Sequence, residues 1–343
     1  MQSLASLYEP YFPVGAAVEP QTLMSQGNLL ASQVNSLVAE NAMKWERIHP
    51  RPGKDPSAYD FGGADAIVEF ARAHGMKVRG HTLVWHNQVP GWVFQAAAGQ
   101  GGLAGQASKS EVLERMREHI STLLAHFRGG VYCWDVVNEA VTDAGEWRTD
   151  SPWFRTAGSD DDAEGIPDYV VKAFEYARAA DPDVRLFYND YSIEGGAKLE
   201  KVVVLVKALK GKGLVDGVGI QGHWTLFGPA PELVRSAIER LAALDVEVQV
   251  TELDLSVYRP GDSSSLPELS PGLASEQAAR YGSYFKVFRD ASTTRAFTGV
   301  TFWGIADDHT WLDSFPVKGR KDWPLLFDTH HRPKSAFWTV AQW

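Results

Sequence analysis

The chain has 343 residues, 44% of them hydrophobic, enough to bury a large core; 43 Asp and Glu against 33 Lys and Arg give a net charge of -10. With no basic run to hold phosphates, this balance argues against nucleic acid or an anionic membrane as partner and leaves neutral or cationic ligands. A single cysteine, Cys133, excludes an intramolecular disulfide, and no apolar run reaches the roughly 20 residues that span a bilayer.

The opening MQSLASLYEP carries neither a positive n-region nor an apolar h-region, so no signal peptide is expected in it. Strands are predicted over 12–18 (FPVGAAV) and 35–41 (NSLVAEN), and ADAIVEFARAHG then shows a 3.6-residue apolar repeat with Gly75 as its left-handed cap. A third strand, 76–85 (MKVRGHTLVW), precedes a glycine-rich loop over 99–106 and the helical KSEVLERMREHISTLLAHF. The fourth strand, 131–139 (VYCWDVVNE), holds Cys133, which is read as a packing thiol. PDYVVKAFEYARAA, the strand at 184–190 (VRLFYND) and KLEKVVVLVKALKGKG follow, the last with Gly211 as its expected cap. The remaining strands are 216–224 (DGVGIQGHW), 246–254 (VEVQVTELD) and 296–304 (AFTGVTFWG), separated by helical APELVRSAIERLAALD and ASEQAARYGSYFKVFRDA. Residues 258–272, rich in Pro, Ser and Gly, read as a long loop leading into the last of these helices.

Eight strands alternating with helices predict an α/β fold, a (β/α)8 TIM barrel forming one domain over 1–343. A doubly wound open sheet fits less well, because no glycine-rich phosphate turn follows the first strand. In a barrel, chemistry gathers at the C-terminal rim. Each apolar run empties there into polar or aromatic residues: Glu40 and Asn41, His81 and Trp85, Asn138 and Glu139, Asn189 and Asp190, Gln221 and His223, Glu252 and Asp254, and Trp303.

Glu139 and Glu252 end the fourth and seventh strands and would face each other across the mouth. Glycoside hydrolysis needs two such carboxyls, one protonated beside the leaving oxygen and one at the anomeric carbon. A divalent-metal site is the competing reading. It is weaker, since the rim histidines are separated by whole βα units and no HxH or HExxH spacing occurs, so no metal or cofactor is expected. The 12 tryptophans serve a core equally well as they serve stacking on sugar rings.

The segments AENAMKWERIHP, GHTLVWHNQVPGW, WDVVNEA, FYNDY, GIQGHW, VTELD and TFWGIADDHTW together resemble, in order and spacing, glycoside hydrolase family 10 endo-β-1,4-xylanases. The resemblance implies a retaining double displacement, with Glu139 as acid/base, Glu252 as nucleophile, and their carboxyls about 5–5.5 Å apart. Glu139 must then start protonated, which calls for a raised pKa, and Glu252 ionised. His223 and Asp254 match the pair that holds the nucleophile, and Asn138 matches the residue that bonds the sugar 2-hydroxyl. Lys44, His81 and Gln88 match residues on the sugar at the cleavage point, and Glu40 and Asn41 the next subsite on the glycone side. Trp85, Trp303 and Trp311 resemble the aromatic walls there. Gln221 is counted with the substrate-binding set, and Tyr191 and Asn189 face the leaving group. For Lys44 and Glu46 the alternative is a surface ion pair. The implied partners are xylan and xylooligosaccharides, met by a monomer outside the cell or in the periplasm, with a cytoplasmic location as the alternative.

Overall fold

The computed structural model describes residues 2–96, 105–158, 165–294 and 296–342. Among the described residues nine strands form, in chain order β1 (Val14–Val18), β2 (Ser36–Ala39), β3 (Lys77–Trp85), β4 (Cys133–Asn138), β5 (Arg185–Asp190), β6 (Gly217–Ile220), β7 (His223–Thr225), β8 (Glu247–Ser256) and β9 (Phe297–Phe302). All pair in parallel in the order β6-β5-β4-β3-β2-β1-β9-β8-β7, and a further β6–β8 pairing closes an eight-stranded barrel. The short β7 sits outside that closure, extending from the C-terminal half of β8.

The predicted strand 216–224 is therefore two strands, and the break has a cause. Gly222 sits at φ +85, a left-handed geometry that an L side chain rarely adopts, and it turns the chain between Gln221 and His223. Each side chain thus reaches the rim from its own direction.

The helices are α1 (Leu4–Tyr8), α2 (Pro20–Gln33), α3 (Trp45–Ile48), α4 (Gly62–Ala73), α5 (Lys109–His126), α6 (Pro152–Ala157), α7 (Asp168–Ala180), α8 (Gly196–Gly211), α9 (Pro231–Ala242), α10 (Pro271–Ser292) and α11 (Ser335–Ala341). The six periodic segments correspond to α4, α5 and α7 to α10; helices α1, α2, α3, α6 and α11 were not predicted. Gly75 takes its expected left-handed cap (φ +66), whereas after α8 that role falls to Gly213 (φ +70), with Gly211 still helical. Of the glycine-rich loop at 99–106, residues 99–104 lie outside the described residues. The 258–272 stretch does join β8 to α10, pinned by the buried Tyr258, whose hydroxyl donates to the Lys321 carbonyl at 3.1 Å.

The helix-facing sides of the strands and the inner stripes of the helices form one large apolar core, while Ala17, Val38 and Trp303 make a small separate cluster at the mouth. The barrel axis is not wholly apolar. Arg79 on β3 is 1% exposed, and its Nε donates to Asp135 on β4 at 3.0 Å while Nη1 donates to Gln249 on β8 at 3.0 Å. A buried guanidinium is tolerable only with its charge paired and its N–H groups satisfied, and this one ties three strands together under the rim. Cys133 is buried beside it, and burial lifts its thiol to about 11, which fits a packing residue.

Candidate functional site

Glu252 lies in the C-terminal half of β8 and is 5% exposed. Its Oε2 receives His223 Nε2 at 3.0 Å, and its Oε1 receives Asn189 Nδ2 at 2.7 Å. His223 passes the restraint outward, its Nδ1 lying 3.0 Å from Asp254 Oδ2, which also accepts Trp311 Nε1 at 2.7 Å. Burial pulls the His223 pKa down, but Asp254 and Glu252 more than reverse this and lift it to about 10. Burial alone would raise Glu252; the hydrogen bond from His223 and the positive field of His81, His223 and Lys44 outweigh it and hold the carboxyl at about 2. Glu252 is thus fixed as an anion.

Glu139 follows the last residue of β4 in a left-handed backbone conformation, φ +59, unusual for a non-glycine. Hydrogen bonds hold it there. Its N–H donates to the Asn189 carbonyl at 3.0 Å, its own carbonyl accepts Arg148 Nε at 3.0 Å, and the next N–H, of Ala140, donates to the Tyr188 hydroxyl at 3.1 Å. The turn aims the carboxylate across the mouth, where Oε2 accepts Trp85 Nε1 at 2.9 Å and Oε1 accepts Gln221 Nε2 at 2.9 Å and Asn138 Nδ2 at 3.2 Å. These partners are all neutral N–H donors, unlike the imidazolium at Glu252.

Asn189 links the two halves, donating through Nδ2 to Glu252 and, at 2.9 Å, to Asn138 Oδ1, while its own Oδ1 accepts Thr251 Oγ1 at 2.6 Å. The close approach requires Gly219 on β6, because a Cβ there would collide with Asn189 Oδ1.

The opposite wall of the cleft is built from β1, β2 and β3. Asn41 Oδ1 accepts Lys44 Nζ at 3.1 Å and Gln88 Nε2 at 3.1 Å, and its Nδ2 donates to Glu19. Lys44 is 6% exposed, with its ammonium 4.8 Å from the Trp85 ring centre and 6.0 Å from that of Trp303, so it is no surface partner of the exposed Glu46. Burial lowers the Lys44 pKa against the opposing pull of Glu252, Glu40, Glu139 and Glu19. His81 is held by Asp135 Oδ2 at 3.0 Å from its Nδ1, with Trp303 edge-on 5.4 Å away. Glu40 Oε2 meets His309 Nε2 at 2.7 Å, an ion pair that raises the His309 pKa. Trp311 lies with its ring 4.8 Å from His223.

On the β5 side, Tyr191 receives Arg148 Nη2 on its hydroxyl at 3.2 Å and the Lys198 ammonium over its ring at 3.2 Å. Asp190, by contrast, turns inward, pairs with Lys198 Nζ at 3.0 Å and is pushed up to about 7 by burial. The structure brings the predicted rim residues together except Asp190, which turns away to Lys198. It adds Glu19, Asp135, Arg148, Lys198 and His309, none of which was singled out as a site residue. Asp135 left one trace in the sequence, a carboxylate in the middle of an apolar strand. Among the described residues no group of three His, Cys, Asp or Glu stands in a metal-holding arrangement.

Two carboxyls in one cleft, one clamped as an anion and the other held by neutral donors, suit acid/base and nucleophilic work on a glycosidic bond. Comparison with known proteins agrees. Residues 3–343 match the model of Glycosyl hydrolase family 10. A β-1,4-xylanase of Dictyoglomus thermophilum is 48% identical over 99% of this chain and 90% of its own length, and an endo-1,4-β-xylanase of Geobacillus stearothermophilus is 46% identical over 99% and 98%. Xylanase XynB of Paenibacillus barcinonensis, solved with a conduramine derivative, superposes with a TM-score of 0.91 at 45% identity, covering 99% of this chain and 98% of that one. A Glu-to-Ala mutant solved with xylotriose does so with a TM-score of 0.91 at 43% identity over the full length of both. With its barrel, its carboxylate pair and a family match from end to end, the chain belongs to glycosyl hydrolase family 10.

Proposed function

We propose that the chain, as a single catalytic barrel, is an endo-1,4-β-xylanase that cuts internal β-1,4-xylosidic bonds with retention of configuration. The observation that carries this reading is the unequal treatment of the two carboxyls: Glu252 sits against the His223 imidazolium and Asn189, while among the described residues the side-chain hydrogen-bond partners of Glu139 are Trp85, Gln221 and Asn138. Glu252 attacks the anomeric carbon as its bond to the leaving oxygen breaks, and Glu139 gives that oxygen its proton. Once Glu252 is esterified its charge is gone, and Glu139 takes a proton from the water that releases the sugar. Asn138 serves the 2-hydroxyl, and Lys44, His81 and Gln88 hold the same sugar. Glu40 and Asn41 hold its glycone neighbour, and Tyr191 flanks the leaving side.

Glu252→Ala is expected to abolish turnover of xylohexaose while calorimetry still finds oligosaccharide binding; surviving hydrolysis would overturn the nucleophile assignment. Xylose lacks the hydroxymethyl group that Gln88 and the 7%-exposed Trp303 would crowd. An aryl xylobioside should accordingly exceed the aryl cellobioside in kcat/KM by about 10- to 200-fold, as one misfitting group commonly costs. Chelator treatment should leave the rate unchanged, since no step uses a metal. The substrate is polymeric and lies outside cells, which favours an exported monomer; activity confined to short oligomers would favour the cytoplasmic alternative. Among the described residues no helix is long and apolar enough to cross a membrane.

A further inference from the structure

Lys198 occupies a costly position for a lysine. It is the third residue of α8, where the positive end of the helix dipole disfavours a cation. It is also only 2% exposed, and a buried ammonium is unfavourable unless paired. Two local preferences are overridden at one residue, which points to a role in the neighbouring site.

The ammonium stands where three segments meet. Its Nζ lies 3.0 Å from Asp190 Oδ1 at the end of β5 and 3.4 Å from Asp143 Oδ1 in the loop after Glu139. The same Nζ is 3.2 Å from the centre of the Tyr191 ring. That loop is seated tightly on the helix. Gly145 sits at φ +77, and a Cβ on it would come 2.6 Å from the carbonyl carbon of Ala197.

From Lys198 two lines run into the cleft. One passes through Asp190, which accepts the Tyr188 hydroxyl, and Tyr188 in turn accepts the Ala140 N–H beside Glu139. Among the described residues Asp190 forms its one ion pair with Lys198. The other line is direct. The ammonium covers a face of the Tyr191 ring, whose hydroxyl receives Arg148 Nη2, and Arg148 Nε holds the Glu139 carbonyl. A desolvated cation grips a ring face and a buried carboxylate more firmly than it would in water.

We propose that Lys198 is a positioning residue for the leaving-group side. It sets the Tyr191 platform directly and, through Asp190 and Tyr188, the aim of Glu139, so one ammonium serves both the departing sugar and its proton donor. The inference rests on the xylanase reading, which puts the leaving sugar at Tyr191 and the proton on Glu139.

The test compares kcat/KM on xylohexaose with that on dinitrophenyl xylobioside. Xylohexaose needs both the platform and a proton; dinitrophenolate leaves without a proton and carries no sugar to the leaving side. Lys198→Met keeps the side chain's length and removes its charge. The ratio of xylohexaose to dinitrophenyl kcat/KM should fall about 10- to 100-fold, the scale of a misaimed catalytic group. Equal losses on the two substrates would make Lys198 merely structural and overturn the proposal, as would a ratio within about twofold of wild type. Because Lys198→Met leaves Asp190 buried without its counter-charge, Lys198→Met/Asp190→Asn is measured beside it, with both charges gone. There the Tyr191 contact is still missing, so the ratio should stay about fivefold below wild type, the worth of one desolvated cation–π contact. A ratio restored in the double variant confines Lys198 to neutralising Asp190 and overturns the proposal. Failure of the wild type to cleave xylohexaose sinks the xylanase reading and this inference with it; cleavage with unmoved ratios sinks the inference alone.

Discussion

His223 lies between two carboxylates, 3.0 Å from each, and its imidazolium is what keeps Glu252 charged in spite of burial. Replacing it by Gln keeps a hydrogen-bonding group and removes the charge. Glu252 then loses its main support against desolvation, so the acidic limb of the kcat/KM profile should move to higher pH. The rate at neutral pH should drop about a hundredfold, a loss of roughly 2.7 kcal/mol in transition-state stabilisation. A pH–rate series on an aryl xylobioside checks both, and an unmoved acidic limb would deny His223 its electrostatic role. Individual residues of this kind were the most legible part of the sequence, because Glu139, Glu252, His223 and Asp254 all stand at or near the ends of the predicted apolar strands. Glu19 and His309 were not legible. Each acquires its role from a partner far away in sequence, Asn41 for one and Glu40 for the other, and nothing local announces the pairing.

At the level of the element, β5 does more than carry Asn189. Its Tyr188 hydroxyl accepts the Ala140 N–H at 3.1 Å and donates to Asp190, so it fixes the chain immediately after the left-handed Glu139. Tyr188→Phe leaves a buried N–H without its acceptor. The variant should lose about 1–3 kcal/mol of stability in urea unfolding, with kcat lowered more than KM is changed, since the aim of Glu139, the proposed acid, suffers before substrate binding does. Periodicity exposed all eight barrel strands and six helices. It missed α2 because PQTLMSQGNLLASQ is mostly polar, with a weak apolar stripe, although Pro20 at its first turn was a start signal. It ran β6 into β7 because the apolar pattern continues through Gln221-Gly222. The left-handed Gly222 is a backbone event that hydropathy does not register.

Over the whole molecule, the site's charges tie stability to pH. Glu252 titrates at an ordinary 4.5 when unfolded and at about 2 in the fold, so its contribution is present above about pH 4.5 and is lost as pH falls through about 2. His223 is raised from 6.5 to about 10, so its contribution is complete below about pH 6.5 and is lost as pH rises through about 10. The difference in Tm between wild type and His223→Gln should be greatest between about pH 4.5 and 6.5 and shrink on either side; a difference that is flat across pH would contradict this linkage.

The first and last barrel strands, β1 and β9, pair directly, with Val14 beside Val300. The Tyr8 hydroxyl bonds the Val340 carbonyl at 2.7 Å near that junction, and Glu40–His309 and Gln26–Asp308 bridge it at the rim. Terminal segments are where local opening begins, and here such opening reaches the wall of Asn41 and Lys44 proposed to hold the sugar, whereas Glu139 and Asn189 stand across the barrel at the ends of β4 and β5. Early heat damage should therefore resemble a worn handle on a sharp blade: KM climbs with temperature while kcat still follows its Arrhenius line, in assays run just below the main unfolding transition.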